Sequence, residues 1–351
     1  MKFVENKELD NFISSLVDTN EINMNVADML LSVINNFDIL PESNITKQEY
    51  LEDILSYWQL NLDDEENIKL INKYIVNSIN EIKMDEFINN RYLKNIKIQN
   101  IKSGPYSLVY DEYVPYEIFA LDDITLNSDY SEISSLGYFK EKFKFIALNY
   151  NDVTWMSITP NEIKTMEPYI KEANGRIIVF GLGLGYFPYM CSLKDEIKEI
   201  VIIEKEIEVI NLFKKYLLPQ FPYKDKIKII NEDALNYLNK PINYDYAFID
   251  LWHNAIDGIE IYLKFKNIEK TNPNTCFMYW LEESFIALLS RACITLINEQ
   301  YHGYEANYIN AKNEFDKLIN KLYSKTKNLT INNVNDIKKL LEKDNLINLA
   351  K

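Results

Sequence analysis

Apolar and polar positions divide the chain into three stretches with different periods. Over 1–90 the apolar residues recur at helical spacing. Leu51, Ile54, Leu55 and Trp58 form an i, i+3, i+4, i+7 stripe, preceded by the capping pair Thr46 and Glu49. Ile68, Leu70, Ile71, Tyr74, Ile75 and Ile79 continue the spacing after the acidic turn Asp63-Asp64-Glu65-Glu66. These seams predict a helical N-terminal region whose stripes face a core and carry no chemistry. Over 91–158 the pattern changes. The segments 106–116, 117–124 and 143–149 are rich in aromatic and β-branched residues, and turns such as Ser103-Gly104-Pro105 and Asn127-Ser128-Asp129 bound them. They predict a small antiparallel β unit.

From 159 to 351 strands and helices alternate. Thr159-Pro160-Asn161-Glu162 predicts a helix start, with Thr159 as cap, Pro160 in the first turn and Glu162 closing a capping box. Asn174-Gly175 ends that helix. Short apolar runs follow at 176–180, 199–203, 226–230, 244–249 and 275–280, separated by helical patterns such as Ile207, Ile210, Phe213 and Leu217, which Pro219 closes. Strands apolar on both faces, with helices between them, predict a mostly parallel sheet covered on both sides. Beyond Leu281 the helical pattern resumes and runs to the C-terminus. The expected fold class is therefore α/β: a Rossmann-like, doubly wound sheet in 159–351 with a helical C-terminal extension, preceded by the helical region and the β-rich segment.

Composition narrows the partners. The 351 residues carry 53 acidic against 38 basic side chains, a formal net charge of −15. Such a field repels a nucleic-acid polyanion. The one basic run, Lys140 to Lys144, is short and broken by Glu141 and Phe143. A small-molecule substrate, cationic or neutral, is the expected partner. No apolar run approaches the ~20 residues that span a bilayer, and the first residues lack an apolar signal core, so no membrane association and a cytoplasmic location are expected. Cys191, Cys276 and Cys293 are far apart, without metal-ligand spacing and in apolar contexts. They read as small buried hydrophobes, with no disulfide and no metal site. The 25 tyrosines leave room for a homodimer surface.

The sharpest chemical signal is Ile177-Ile178-Val179-Phe180-Gly181-Leu182-Gly183-Leu184-Gly185-Tyr186. Three of only eight glycines fall in five positions between a strand and a helix. A nucleotide-binding turn needs that context, because glycine lets the backbone approach a ligand closely. The plain alternative is a tight turn serving helix–strand packing alone. Glu204 follows at the end of Val201-Ile202-Ile203-Glu204, roughly the ~20 residues on at which a ribose-binding carboxylate is expected. Its alternative is a solvated acid beside Lys205 and Glu206. A nicotinamide loop would place its third glycine at position 186, where this chain has Tyr186.

Over 156–281 the arrangement resembles class I S-adenosylmethionine-dependent methyltransferases. The resemblance implies that Gly181, Gly183 and Gly185 cradle S-adenosylmethionine, that Glu204 holds its ribose, and that Asp233 and the Ala234 amide read its adenine. Asp233 also reads as a helix cap. The resemblance further places Asp250-Leu251-Trp252-His253 beside the methionine moiety and the incoming nucleophile. Asp250 would orient or deprotonate the acceptor. His253, one of two histidines, would be a general base, or a loop histidine satisfied by neighbours. Trp252 would stack on a ligand or pack in the core. Met156-Ser157-Ile158-Thr159-Pro160-Asn161-Glu162 and Phe248-Ile249-Asp250 look like the spermidine-synthase branch. The chain departs from that branch in lacking an extra loop glycine and acid and a set of diamine-binding acids, and from class I domains in lacking a strand pair after Leu281. The implied activity is methyl transfer to a small-molecule acceptor. The alternatives are aminopropyl transfer from decarboxylated S-adenosylmethionine to a polyamine, and a non-catalytic protein on the same fold.

Overall fold

Five apolar runs pair into one parallel sheet: β1 (Gly175–Phe180), β2 (Ile197–Glu204), β3 (Ile227–Asn231), β4 (Tyr246–Ile249) and β5 (Cys276–Tyr279). Their order is β3-β2-β1-β4-β5. The computed structural model describes residues 1–4, 6–303 and 311–351. Ile177, Ile178, Val179 and Phe180 are each at most 1% exposed, so β1 is covered on both faces. Burying each such side chain contributes about 1.5–3 kcal/mol. The strand order reverses at β1. Connections from β1 to β2 and from β3 to β4 run to opposite sides and open a crevice at the carboxyl ends of β1 and β4.

Helices fill the connections. Pro160–Glu172 leads into β1, Tyr186–Ser192 follows it, and Ile207–Leu212 continues as a π turn over Phe213–Leu217 after β2. Ala234–Tyr237 follows β3, Ala255–Thr271 follows β4, and Glu282–Tyr301 follows β5. Among the described residues no strand pair extends the sheet beyond β5. Glu282–Tyr301 takes that place, and Glu314–Thr326, Val334–Leu340 and Lys343–Ala350 complete a helical extension. The part of the expected helical run at 304–310 lies outside the described residues. One exception interrupts the helices, a two-residue strand Thr330–Ile331 paired with Lys2–Phe3.

The N-terminal region is built on the helix Lys7–Val33, with Leu9, Ile13, Leu16, Val26, Leu30 and Val33 buried. Thr46 and Glu49 form the expected capping box of the helix Lys47–Tyr57. Ile79–Glu81, inside the stretch that reads as helical, is instead a strand.

The β-rich residues make two sheets rather than one unit. Ile79–Glu81, Glu132–Tyr138 and Phe119–Leu126 form the first. Ile101–Ser103, Tyr106–Tyr113, Phe143–Tyr150 and Val153–Ser157 form the second, which is antiparallel. The break falls at Tyr116, whose φ of 65° turns the chain out of the strand direction. Lys140 and Lys142 pair with Glu81 and Glu112, so the short basic run is a set of ion pairs and not a patch.

Two contacts anchor these sheets to the parallel domain. Glu132, 7% exposed, binds Arg291 of the helix Glu282–Tyr301 through both carboxylate oxygens. Asp123 accepts the Glu283 amide at 3.1 Å and hydrogen-bonds Ser284, capping the same helix from outside. That helix begins at Leu281, a left-handed residue with no side-chain cap of its own. The borrowed cap offsets the missing one.

Two expectations need correction. Thr159 makes no side-chain cap bond, and Pro160 already removes one first-turn donor. The capping box with Glu162 is therefore not formed. Cys191 and Cys293 are buried, but Cys276 is exposed. It opens the edge strand β5, where its thiol lies 3.8 Å from Glu172 Oε1. Burial and then the Glu172 charge push that thiol above its ordinary pKa.

Candidate functional site

A cavity of about 600 Å³ opens at the carboxyl ends of β1, β2 and β4. Its walls are the glycine loop, the ends of β2 and β4, the start of the helix Ala234–Tyr237, and the strand Val153–Ser157 from the β-rich part.

The glycine loop explains itself residue by residue. A Cβ on Gly181 would lie 2.0 Å from the Asp250 carbonyl oxygen, and one on Gly185 would lie 2.3 Å from Phe213 Cε2. Both positions are closed by protein, as the packing reading requires. Gly183 differs, because a Cβ there would meet nothing within 4 Å, and the residue lines the cavity. Its backbone is open to a ligand. The variant Gly185→Ala is expected to lose about 2 kcal/mol of stability through overpacking, seen as a lower urea midpoint. An unchanged midpoint would contradict the packing role.

The loop is braced on both sides. Glu204, 7% exposed, accepts the Leu182 amide at 3.0 Å through Oε2 and the Glu206 amide at 2.8 Å through Oε1. It is not the solvated acid of the alternative reading. Each oxygen retains a lone pair for a further donor. On the other side the Tyr92 hydroxyl donates to the Leu184 carbonyl. The Asn90 amide donates to the Tyr186 hydroxyl at 2.9 Å, and the Tyr92 and Tyr186 rings meet edge-on at 5.6 Å. The position that a nicotinamide loop keeps as glycine thus carries a side chain built into the helical region.

Asp233 and Ala234 line the cavity at the end of β3. Asp233 accepts the Asn236 amide at 3.1 Å and so caps its helix. Ala234 is the first helical residue, whose amide has no acceptor within the helix.

At the end of β4, the Asp250 amide donates to the Phe180 carbonyl at 2.9 Å, which sets its carboxyl in the cavity wall. His253 is exposed at the rim, its backbone amide donating to Asp257 Oδ2 at 3.1 Å. Trp252 takes the packing role. It is buried, donates its indole N–H to the Trp280 carbonyl at 3.0 Å, and meets Phe285 edge-on at 4.9 Å. Trp280 in turn donates to Thr165 Oγ1 at 2.8 Å. This chain of contacts locks β4 and β5 to the helix Pro160–Glu172.

One cavity residue is new relative to the sequence reading. Glu162, expected as a cap, lines the cavity with Asp250. Burial, and then the neighbouring Asp250 charge, hold the Glu162 carboxyl well above the usual carboxylate range. Burial, and then the Glu204 charge, push Asp250 up to about 7. Glu204, Glu206 and Asp233 add to the acid lining, against Lys205 and the rim histidine.

No family model matches the chain, and no curated protein matches it. Several solved structures overlay on part of it. Spermidine synthase from Thermotoga maritima gives a TM-score of 0.31 at 13% identity, covering 55% of this chain and 61% of that one. Precorrin 8W decarboxylase from Methanobacterium thermoautotrophicum gives 0.28 at 17% identity, covering 35% and 63%. The O-methyltransferase TomG from Streptomyces achromogenes, in complex with SAM, gives 0.25 at 16% identity, covering 31% and 48%. The chain spans less than two thirds of each. The assignment rests on the protein's own strand order and on the glycine loop at the reversal point. The fold is Rossmann-like, a doubly wound parallel sheet.

Proposed function

We propose that the protein is an S-adenosylmethionine-dependent methyltransferase acting on a small-molecule acceptor. The observation that carries this reading is the open backbone at Gly183, presented to the cavity by a loop that Glu204 holds from below. About 600 Å³ lies within the ~300–1,000 Å³ usual for small-molecule and cofactor sites. The loop backbone and Glu204 would hold the ribose side of the cofactor, and Asp233 with the Ala234 amide its adenine. Bound there, the cofactor would supply an electrophilic methyl group. Asp250 would orient the acceptor and take its proton, with His253 at the rim as a second base. The rigid link from Trp252 through Trp280 to Thr165 supports positioning, the main source of rate in such transfers.

The acid lining favours one further reading, aminopropyl transfer. Decarboxylated S-adenosylmethionine lacks the carboxylate that Glu162, Glu204 and Asp250 would repel. The test incubates purified protein with each cofactor form and a panel of small amines, alcohols and phenols. Release of S-adenosylhomocysteine with at least one acceptor is expected. Release of methylthioadenosine from the decarboxylated form alone would replace methyl by aminopropyl transfer. No product from either form would contradict both.

A further inference from the structure

The negative charge of the chain is concentrated in one stretch far from the cavity residues in sequence. Residues 8–68 hold fourteen acidic side chains and a single basic one, Lys47, a balance of −13 out of −15 for the whole protein. Lys47 is engaged elsewhere, donating to the Val76 carbonyl at 3.2 Å and to Asn80 Oδ1 at 2.9 Å. Among the described residues none of the fourteen acids forms an ion pair. The helices add to the field. Neither Lys7–Val33 nor Lys47–Tyr57 has a basic residue in its last turn, so the negative ends of both helix dipoles stand uncompensated.

These two ends meet. The Trp58 indole donates to Ser32 Oγ at 3.0 Å, and the Asn36 side-chain amide donates to the Ser32 carbonyl at 3.1 Å. Each of the three residues has an exposed apolar neighbour in sequence: Leu31 at 65%, Phe37 at 60% and Tyr57 at 47%. Single exposed hydrophobics are ordinary, but three gathered at one contact make an apolar patch. The helix Lys7–Val33 extends it. Glu21, Met24, Asp28 and Leu31 are exposed at i, i+3, i+7 and i+10, which lays them along one face. Behind that face lies a packed cluster that includes Val26, Leu30, Val33, Tyr50 and Ile54.

We propose that this face docks a basic amphipathic helix of a partner protein. The proposal is independent of the cavity and of the transferase reading. The partner's lysines and arginines meet Glu21, Asp28, Asp38 and the two helix ends, and its apolar stripe covers Leu31, Phe37 and Tyr57. Other occupants fit one half of the surface and not the other. A nucleic acid or an anionic membrane is repelled by the acids. A second copy docking by the same face would oppose acid to acid. A small polycation satisfies the acids and leaves the apolar patch in water.

Calorimetric titration of the full chain at physiological salt tests this. The probe is a short synthetic helix of leucine and lysine with leucines at i, i+3, i+4 and i+7, and the control has the same composition with the leucines scattered. The amphipathic peptide is expected to bind at least about tenfold more tightly than the control. Asp28→Lys and Leu31→Ser are each expected to lose about tenfold of that affinity, and Asp225→Lys, an exposed acid outside the stretch, to leave it unchanged. Both face variants are expected to unfold at no lower temperature, because both side chains are exposed. Equal affinity for the two peptides would reduce the face to nonspecific charge and overturn the proposal. Unchanged binding in folded Asp28→Lys and Leu31→Ser would overturn it too. A concentration-dependent dimer in sedimentation that Leu31→Ser abolishes would put a second copy in the partner's place and overturn it as well.

Discussion

Replacing Glu204 with alanine is expected to weaken S-adenosylmethionine binding by roughly a hundredfold or more. The carboxylate does two things. It holds the Leu182 and Glu206 amides, and it lines the cavity proposed to take the ribose. Removing it leaves buried amides unpaired, at about 1–3 kcal/mol for such a group. It also removes charge-assisted acceptors for the ribose hydroxyls. The first loss lowers stability, and the second lowers affinity: with two hydrogen bonds to a charged group at about 1.5–3 kcal/mol each and every 1.4 kcal/mol about tenfold, it exceeds two decades. Glu204→Gln, which keeps one acceptor oxygen, should fall between the two. Calorimetry on folded protein decides, and an alanine variant that binds within threefold of the parent removes Glu204 from the cofactor site.

Asp250→Asn is expected to lower turnover by about 10²–10⁴, the range for losing a positioned proton acceptor. It is also expected to change the pH dependence of stability in a fixed direction. Asp250 is pushed up to about 7 in the folded chain from an ordinary 3.8. Between those values the native state keeps a proton that the unfolded state has released. Stability therefore falls as pH rises from about 4 to about 7, by about 1.4 kcal/mol per pH step of one, and levels off above. Glu162, raised for the same cause, acts in the same direction. Asparagine carries no titrating charge, so the variant should exceed the parent by about 4 kcal/mol at pH 8 and match it near pH 4. Urea midpoints at the two pH values check the sign. A parent with equal stability at both would contradict the raised carboxyl, and undiminished turnover in the variant would remove Asp250 from catalysis.

The parallel sheet was legible because its strands obey local rules. Runs such as Ile177-Ile178-Val179-Phe180 are apolar on both faces, and glycines crowd a single turn. The Thr46 and Glu49 box was legible for the same reason. Glu162 was not, because the phrase that places an acid third in a helix suits a cap and a cavity wall equally. Only the tertiary packing that sets Glu162 in the cavity wall separates them. The β-rich part split in two because Tyr116 adopts a left-handed turn that its side chain does not announce. The Ser134-Ser135 pair likewise weakens the apolar pattern of the strand Glu132–Tyr138. Asp123 capping a helix about 160 residues away, and Glu132 pairing with Arg291, depend on distant contacts that periodicity does not encode.

Binding of S-adenosylmethionine in the cavity at the glycine loop is the claim on which the functional reading stands. Isothermal titration of the full chain with S-adenosylmethionine, S-adenosylhomocysteine, the decarboxylated form and NAD tests it directly. Saturable one-to-one binding of S-adenosylmethionine or S-adenosylhomocysteine is expected, weakened in Glu204→Ala, with no binding of NAD, whose third glycine Tyr186 replaces. Binding of NAD alone, or of none of the four to folded protein, would contradict it.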